Sequence, residues 1–146
     1  MTFDQMLAAT NISASGLSAE RLRMEVVANN IANAYATRSP AGGPYRRQEV
    51  VFAAVLGDRL RPSKTHPAVL GGVEVVGIEE DPSEFQRVYN PGHPDADADG
   101  FVFLPNVQLP LEMVNLITAS RAYEANLRAM QSYRQMAEQA LVLLRG

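Results

Sequence analysis

The stretch LEMVNLITASRAYEANLRAMQSYRQMAEQALVLL, residues 111–144, decides the fold. It holds neither Gly nor Pro, and its apolar side chains recur with a heptad period. The d positions are Leu109, Leu116, Tyr123, Met130, Ala137 and Leu144; the a positions are Met113, Ser120, Leu127, Arg134 and Leu141. Only Ser120 and Arg134 interrupt the seam. The pattern predicts one long helix over about residues 111–144. Pro110 is tolerable in its first turn, where the missing N–H has no helical partner. Glu124 and Arg128 add an i,i+4 ion pair along its surface.

Outward from that helix, proline placement divides the chain. All nine prolines fall between Pro40 and Pro110, and eight of the ten glycines lie between Gly42 and Gly100. Prolines break helices and glycines favour turns, so a second long helix is expected at the other end. It should run over about residues 3–33, with Thr2 and Gln5 as a capping box. Its a positions are Phe3, Thr10, Leu17, Met24 and Ile31, and its d positions are Met6, Ser13, Glu20 and Val27. Gly16 weakens its centre by about 1 kcal/mol relative to Ala. Each helix would be about 45–50 Å long at 1.5 Å per residue, and the similar lengths suggest pairing along the seams. Between them, residues 45–56 and 73–78 read as strands, with Gly77 as a bulge, and residues 85–89 and 101–104 as weaker strands. The expected fold is therefore mostly α with a β insert (α+β). Residues 1–34 and 108–146 form paired coiled-coil helices, and residues 35–107 form a small β-rich domain.

The totals exclude several functions. A net charge of −3 does not suit a nucleic-acid binder, which needs a concentrated basic face. The chain has no cysteine, so disulfides, thiolate metal sites and cysteine nucleophiles are ruled out. No apolar run approaches the roughly 20 residues needed to span a bilayer, and no cleavable secretory leader is visible. The sharpest motif is Asp95-Ala96-Asp97-Ala98-Asp99-Gly100, which copies the first half of a calcium loop. Its twelfth position is Asn106 where a bidentate Glu is needed, and the preceding Asn90-Pro91-Gly92-His93-Pro94 cannot be an entering helix. A tight acidic loop capping its own backbone is the better reading. His66 and His93 each precede a proline in a loop and have no second ligand at metal-site spacing. No nucleophile elbow or phosphate loop is present. Asn29, Asn30 and Asn33 cluster where the first helix should end. They serve either helix termination or the register of an assembly, and the residues alone leave this even. The residues thus describe a non-catalytic assembly protein without cofactor or metal.

Four motifs carry a resemblance. Residues 15–21 (SGLSAER), Met24 and residues 29–33 (NNIAN) resemble the N-terminal signature of the flagellar rod, hook and hook-associated axial proteins. Residues 111–117 (LEMVNLI) and 120–126 (SRAYEAN) resemble their C-terminal signature. Residues 37–47 (TRSPAGGPYRR), and 88–96 (VYNPGHPDA) continuing to 104–107 (LPNV), resemble the proximal-rod branch of that family. The resemblance implies a structural subunit of the bacterial flagellar basal-body rod. Such subunits are exported by the flagellar type III apparatus without a cleaved signal peptide. In the periplasm they polymerise helically, with copies of themselves and other rod proteins, into the torque-transmitting shaft. The residues expected to carry packing and assembly are Leu17, Met24, Asn30, Ile31, Asn33, Met113, Leu116, Tyr123, Leu127 and Met130. The alternatives are another axial protein of the same family, a soluble helical adaptor, and a metal enzyme built on His66, His93 and the aspartates. The last two leave the four ordered motifs unexplained.

Overall fold

The computed structural model describes residues 3–40, 42–56 and 70–145. The elements in chain order are helix α1 (Phe3–Ala32), strands β1 (Gln48–Leu56), β2 (Leu70–Glu80), β3 (Gln86–Tyr89) and β4 (Phe101–Leu104), and helix α2 (Leu109–Arg145). Two long helices thus enclose four strands, the expected α+β order. The strands form two separate two-stranded sheets, β1 with β2 and β3 with β4. The second is antiparallel, with Gln86 opposite Leu104 and Tyr89 opposite Phe101. His66 lies outside the described residues.

Local chemistry sets the helix ends. The Asn29 carbonyl accepts both the Asn33 N–H at 3.1 Å and the Asn33 side-chain amide at 2.9 Å, which closes the last turn of α1. At the start of α2 the Glu112 N–H donates to the Gln108 carbonyl at 3.0 Å, so Pro110 falls in the first turn, where it removes no helical bond.

The chain divides into two compact units. One, the helical unit, comprises Met1–Leu22, Val51–Gly77 and Ala119–Gly146; the other, the joint unit, comprises Arg23–Val50 and Ile78–Thr118. Small residues are the most buried in the helical unit: Ser13 and Ala19 on α1, and Ala119 on α2. Small side chains permit close approach. A Cβ added at Gly16 would stand 2.9 Å from the Asn126 amide nitrogen of α2. The Ser15 hydroxyl donates to the Ile12 carbonyl at 2.7 Å and accepts the Val73 N–H at 3.1 Å, tying the start of β2 to α1. Gly72 beside it has φ 118°, a conformation L side chains rarely adopt, and a Cβ there would collide with the same hydroxyl.

The joint unit has a mixed core. Val26, Val27, Ala34, Val102, Pro105 and Val107 are buried in it, together with the polar side chains of Asn30, Asn106 and Glu112.

Candidate functional site

Asn30 and Glu112 are each 0% exposed, and with Pro105 they are the largest fully buried side chains among the described residues. An acid in the first turn of a helix ordinarily sits in water and complements the helix dipole. Glu112 instead turns inward. Its Oε1 accepts from Arg47 Nε at 2.8 Å and Asn115 Nδ2 at 3.1 Å, and its Oε2 accepts from Asn30 Nδ2 at 2.9 Å.

Asn30 spends its whole carboxamide. Nδ2 also donates to the Gln48 carbonyl at 2.8 Å, and Oδ1 accepts the Gln48 N–H at 3.0 Å and the Tyr45 hydroxyl at 2.9 Å. Toward Gln48 the side chain thus acts as a neighbouring strand would, exchanging both an N–H and a carbonyl bond with one residue. It pairs the first residue of β1 with the end of α1.

Arg47 is the second hub. Besides Glu112, its guanidinium bonds Asp81 Oδ2 at 3.1 Å and pairs with Glu49. Its backbone N–H donates to Asn106 Oδ1 at 2.8 Å, and its carbonyl accepts the Asp81 N–H at 2.8 Å. Asn106 Nδ2 then reaches the Asp81 carbonyl at 3.1 Å and the Ser83 hydroxyl at 2.9 Å. Arg46 donates to the carbonyls of Asp81 and Ser83 and lies 4.2 Å over the Phe85 ring. One network therefore fastens the end of α1, the start of β1, the turn after β2, the segment before α2 and the first turn of α2.

The ionisation of these groups follows from the geometry. Burial opposes the charge on Arg47, but the hydrogen bonds it donates to Glu49 and Glu112 outweigh it and raise its pKa further. The Ser83 N–H and hydroxyl hold the Asp81 carboxyl below the ordinary range against the effect of burial, with Arg47 adding to the shift. Burial, then the charges of Glu112 and Glu80, push the Tyr45 phenol up and keep it a donor. Every polar atom named here is engaged by protein, so the arrangement holds elements together.

Of the residues expected to matter, Asn30 sits at the centre of this joint and Asn33 closes α1. Asn33 thus takes the helix-terminating role, Asn30 ties the end of α1 to β1 and α2 within the subunit, and Asn29 stays exposed. Leu17, Met24 and Ile31 on α1 and Leu116, Tyr123 and Met130 on α2 are half-buried along their helices. Met113 and Leu127 are exposed, the latter at 39%. The acidic loop is engaged locally. Asp97 Oδ1 accepts the N–H groups of Asp99 at 3.0 Å and Phe101 at 2.8 Å, and Arg87 lies 3.8 Å from Asp97 Oδ2 and 3.8 Å over the Phe101 ring. Asp95 accepts from Thr37 at 2.8 Å and pairs with Arg38; Thr37 foremost lowers its pKa against the effect of burial. Arg47, Tyr45, Asp81, Asn106 and Glu112 are absent from the expected set. The available signal was that all but Asp81 fall inside the four motifs quoted above.

Comparison with known proteins agrees with this geometry. Residues 11–37 match the family model described as flagella basal body rod protein. Residues 98–143 match the model described as flagellar basal body rod FlgEFG protein C-terminal. The two matches cover the helix ends that meet in the joint. The flagellar basal-body rod protein FlgC of Borreliella burgdorferi is 43% identical over 97% of this chain and 99% of its own length. That of Bacillus subtilis is 41% identical over 90% of this chain and 93% of its own, and that of Salmonella typhimurium 39% over 91% and 93%. Full-length similarity at this level, with a site built to fasten and not to react, shows that the chain belongs to the FlgC family of flagellar basal-body rod proteins, as a structural subunit of the rod and not an enzyme.

Proposed function

We propose that this rod subunit polymerises helically, with copies of itself and with other rod proteins, into the proximal part of the shaft that carries torque through the periplasm. Segments 1–34 and 108–146 act as a coiled-coil pair of staves, and segment 35–107 as the domain they carry. The flagellar type III apparatus exports the chain without a cleaved signal peptide. No helix among the described residues is long and apolar enough to cross a membrane. Half-buried Leu17, Met24, Ile31, Leu116, Tyr123 and Met130 pack the staves. Met113 and Leu127 face neighbours, and Asn30 with Asn33 fixes where the first stave ends.

The observation that carries this reading is the apolar stripe that α2 leaves in water: Met113, Ile117, Leu127 and Leu141 are all exposed. They recur at helical spacing along α2. Apolar surface of this extent is ordinarily covered by another protein surface, and a contact that does not close on itself generates a helical polymer. The test is in-frame deletion of the gene followed by electron microscopy of isolated basal bodies. Membrane rings without rod, hook or filament are expected, with the gene restoring all three. Normal flagella in the deletion strain would overturn the assignment.

A further inference from the structure

Within the joint unit, the loop between β3 and β4 is tied to the segment after α1 through one carboxylate. Thr37 Oγ1 donates to Asp95 Oδ2 at 2.8 Å, and Arg38 pairs with Asp95 Oδ1. Asp95 is also held through its backbone, whose N–H donates to His93 Nδ1 at 3.1 Å. The turn that carries His93 is fixed in its own right. The His93 N–H donates to the Asn90 carbonyl at 3.1 Å, and the His93 carbonyl accepts the Ala96 N–H at 3.0 Å. The half-buried ring is thereby kept beside Asp95.

A backbone N–H only donates, so Nδ1 offers its lone pair and the proton of the neutral ring sits on Nε2. Histidine is the side chain whose ordinary titration falls between pH 5 and 8. A proton taken up from solvent can enter this ring only at Nδ1, the atom that holds Asp95. The imidazolium leaves the Asp95 N–H facing a second donor. Its charge also reaches the Asp95 carboxylate. Thr37 foremost, then the charges of Arg38 and His93, hold that carboxyl low against the effect of burial. The charged ring therefore competes with Thr37 and Arg38 for the same oxygens. Among the described residues, Arg38 approaches Asp95 from the segment after α1, while Asp97 and Asp99 turn to Arg87 of β3 at 3.8 and 4.0 Å.

We infer that His93 is a pH-sensitive latch: its neutral ring keeps the β3–β4 loop fastened to Thr37 and Arg38, and protonation at Nδ1 loosens that tie. The latch belongs to a single subunit, so it goes beyond the assembly reading and stands without it.

The test is NMR of the full-length, ¹⁵N-labelled chain between about pH 7.5 and about pH 5. The neutral ring should carry its proton on Nε2, and the Asp95 and Thr37 amide signals should shift with the same midpoint as the ring. Exchange of the Asp95 amide, corrected for its intrinsic pH dependence, should rise about tenfold, the worth of one hydrogen bond. His93→Asn supplies the control. An Asn side-chain carbonyl accepts the N–H two residues on, as in an Asx turn, and does not titrate. In that variant both amides should stay in place across the range. A neutral ring protonated on Nδ1, amide signals that do not follow the ring, or an equal response in His93→Asn would each overturn the inference.

Discussion

The two units of this chain bury different kinds of side chain. In the joint unit a carboxylate, a guanidinium and two carboxamides are drawn inward, while Leu111, Met113, Val114 and Ile117 stand in water. In the helical unit small side chains fill the interior at Ser13, Ala19 and Ala119, and Leu127, Leu141, Val142 and Leu143 face out. Hydrophobic burial alone does not account for the polar half of the joint unit's core. A buried ion pair is weak as a source of stability, because desolvation offsets most of its attraction. What it does supply is discrimination, since a shifted register leaves a charge buried without a partner. The joint unit thus specifies geometry, and the exposed leucines and valines are the surface that the proposed assembly would cover.

The largest effect should come from breaking the network on one side only. Glu112→Ala removes the acceptor for Arg47 and Asn30 together and leaves their inward-facing donors unmatched, while Arg47 keeps Asp81 and Glu49. A loss of about 3 kcal/mol of unfolding free energy is expected in denaturant titration. Replacing Arg47 and Glu112 by Met together should recover part of that loss, because the penalty lies in the unmatched polar groups. If the single and the double variant lose the same stability, the network is not the fastener described here.

Next comes the contact of the helical unit at Ser15. Gly72→Ala must accommodate a side chain at φ 118° and displace the hydroxyl that accepts the Val73 N–H. The backbone strain alone is worth about 1–3 kcal/mol. The same substitution at Gly16 meets only the movable end of Asn126 and gains about 1 kcal/mol of helix propensity, so it should be near neutral or stabilising. Thermal melts of the two variants should move apart.

These sites differ in how far the sequence announces them. The two long helices were legible because proline and glycine are confined to the middle of the chain. The α1 end at Ala32 and the α2 start at Leu109 fall within two residues of expectation. The four strands were legible as Val- and Phe-containing runs between turn signals. The burial pattern was less so. On α1 the deepest apolar positions are Ala19, Val26 and Val27, which a heptad of larger residues at Leu17, Met24 and Ile31 does not single out. The joint was hidden for a different reason. Asn30 and Glu112 are 82 residues apart, and each has a sufficient local explanation, helix termination for one and dipole complement for the other. Only the fold makes them partners. Asn106, read at first as the wrong residue for a calcium loop, is occupied by Arg47, Asp81 and Ser83.

A smaller effect should appear on acidification. The folded state holds the Asp81 carboxyl below its ordinary value, chiefly through Ser83. A depressed carboxyl contributes stability that is present above the unfolded value of about 3.9 and is lost as pH falls through the lower folded value. Asp81→Asn should therefore flatten the decline in stability below about pH 4, relative to the parent chain. An unchanged acid slope in that variant would mean that other carboxyls dominate the acid limb.

The smallest effect on stability should accompany the largest on assembly. Leu127 is already 39% exposed in the isolated chain, so Leu127→Asp removes little buried surface. Substitutions at such positions usually stay within about 0.5 kcal/mol, and the melting curve should be close to the parent's. In the proposed polymer a neighbour would cover the same position, and a carboxylate there would have neither water nor a partner. The variant should be made, fold and be exported, yet fail to restore rods to the deletion strain. Unfolding of the isolated variant would place Leu127 in the subunit's own core. Normal motility would place it on a surface that no neighbour covers. Failure to assemble from a well-folded subunit would assign the exposed stripe of α2 to the contacts between subunits, leaving geometry within each subunit to the buried joint.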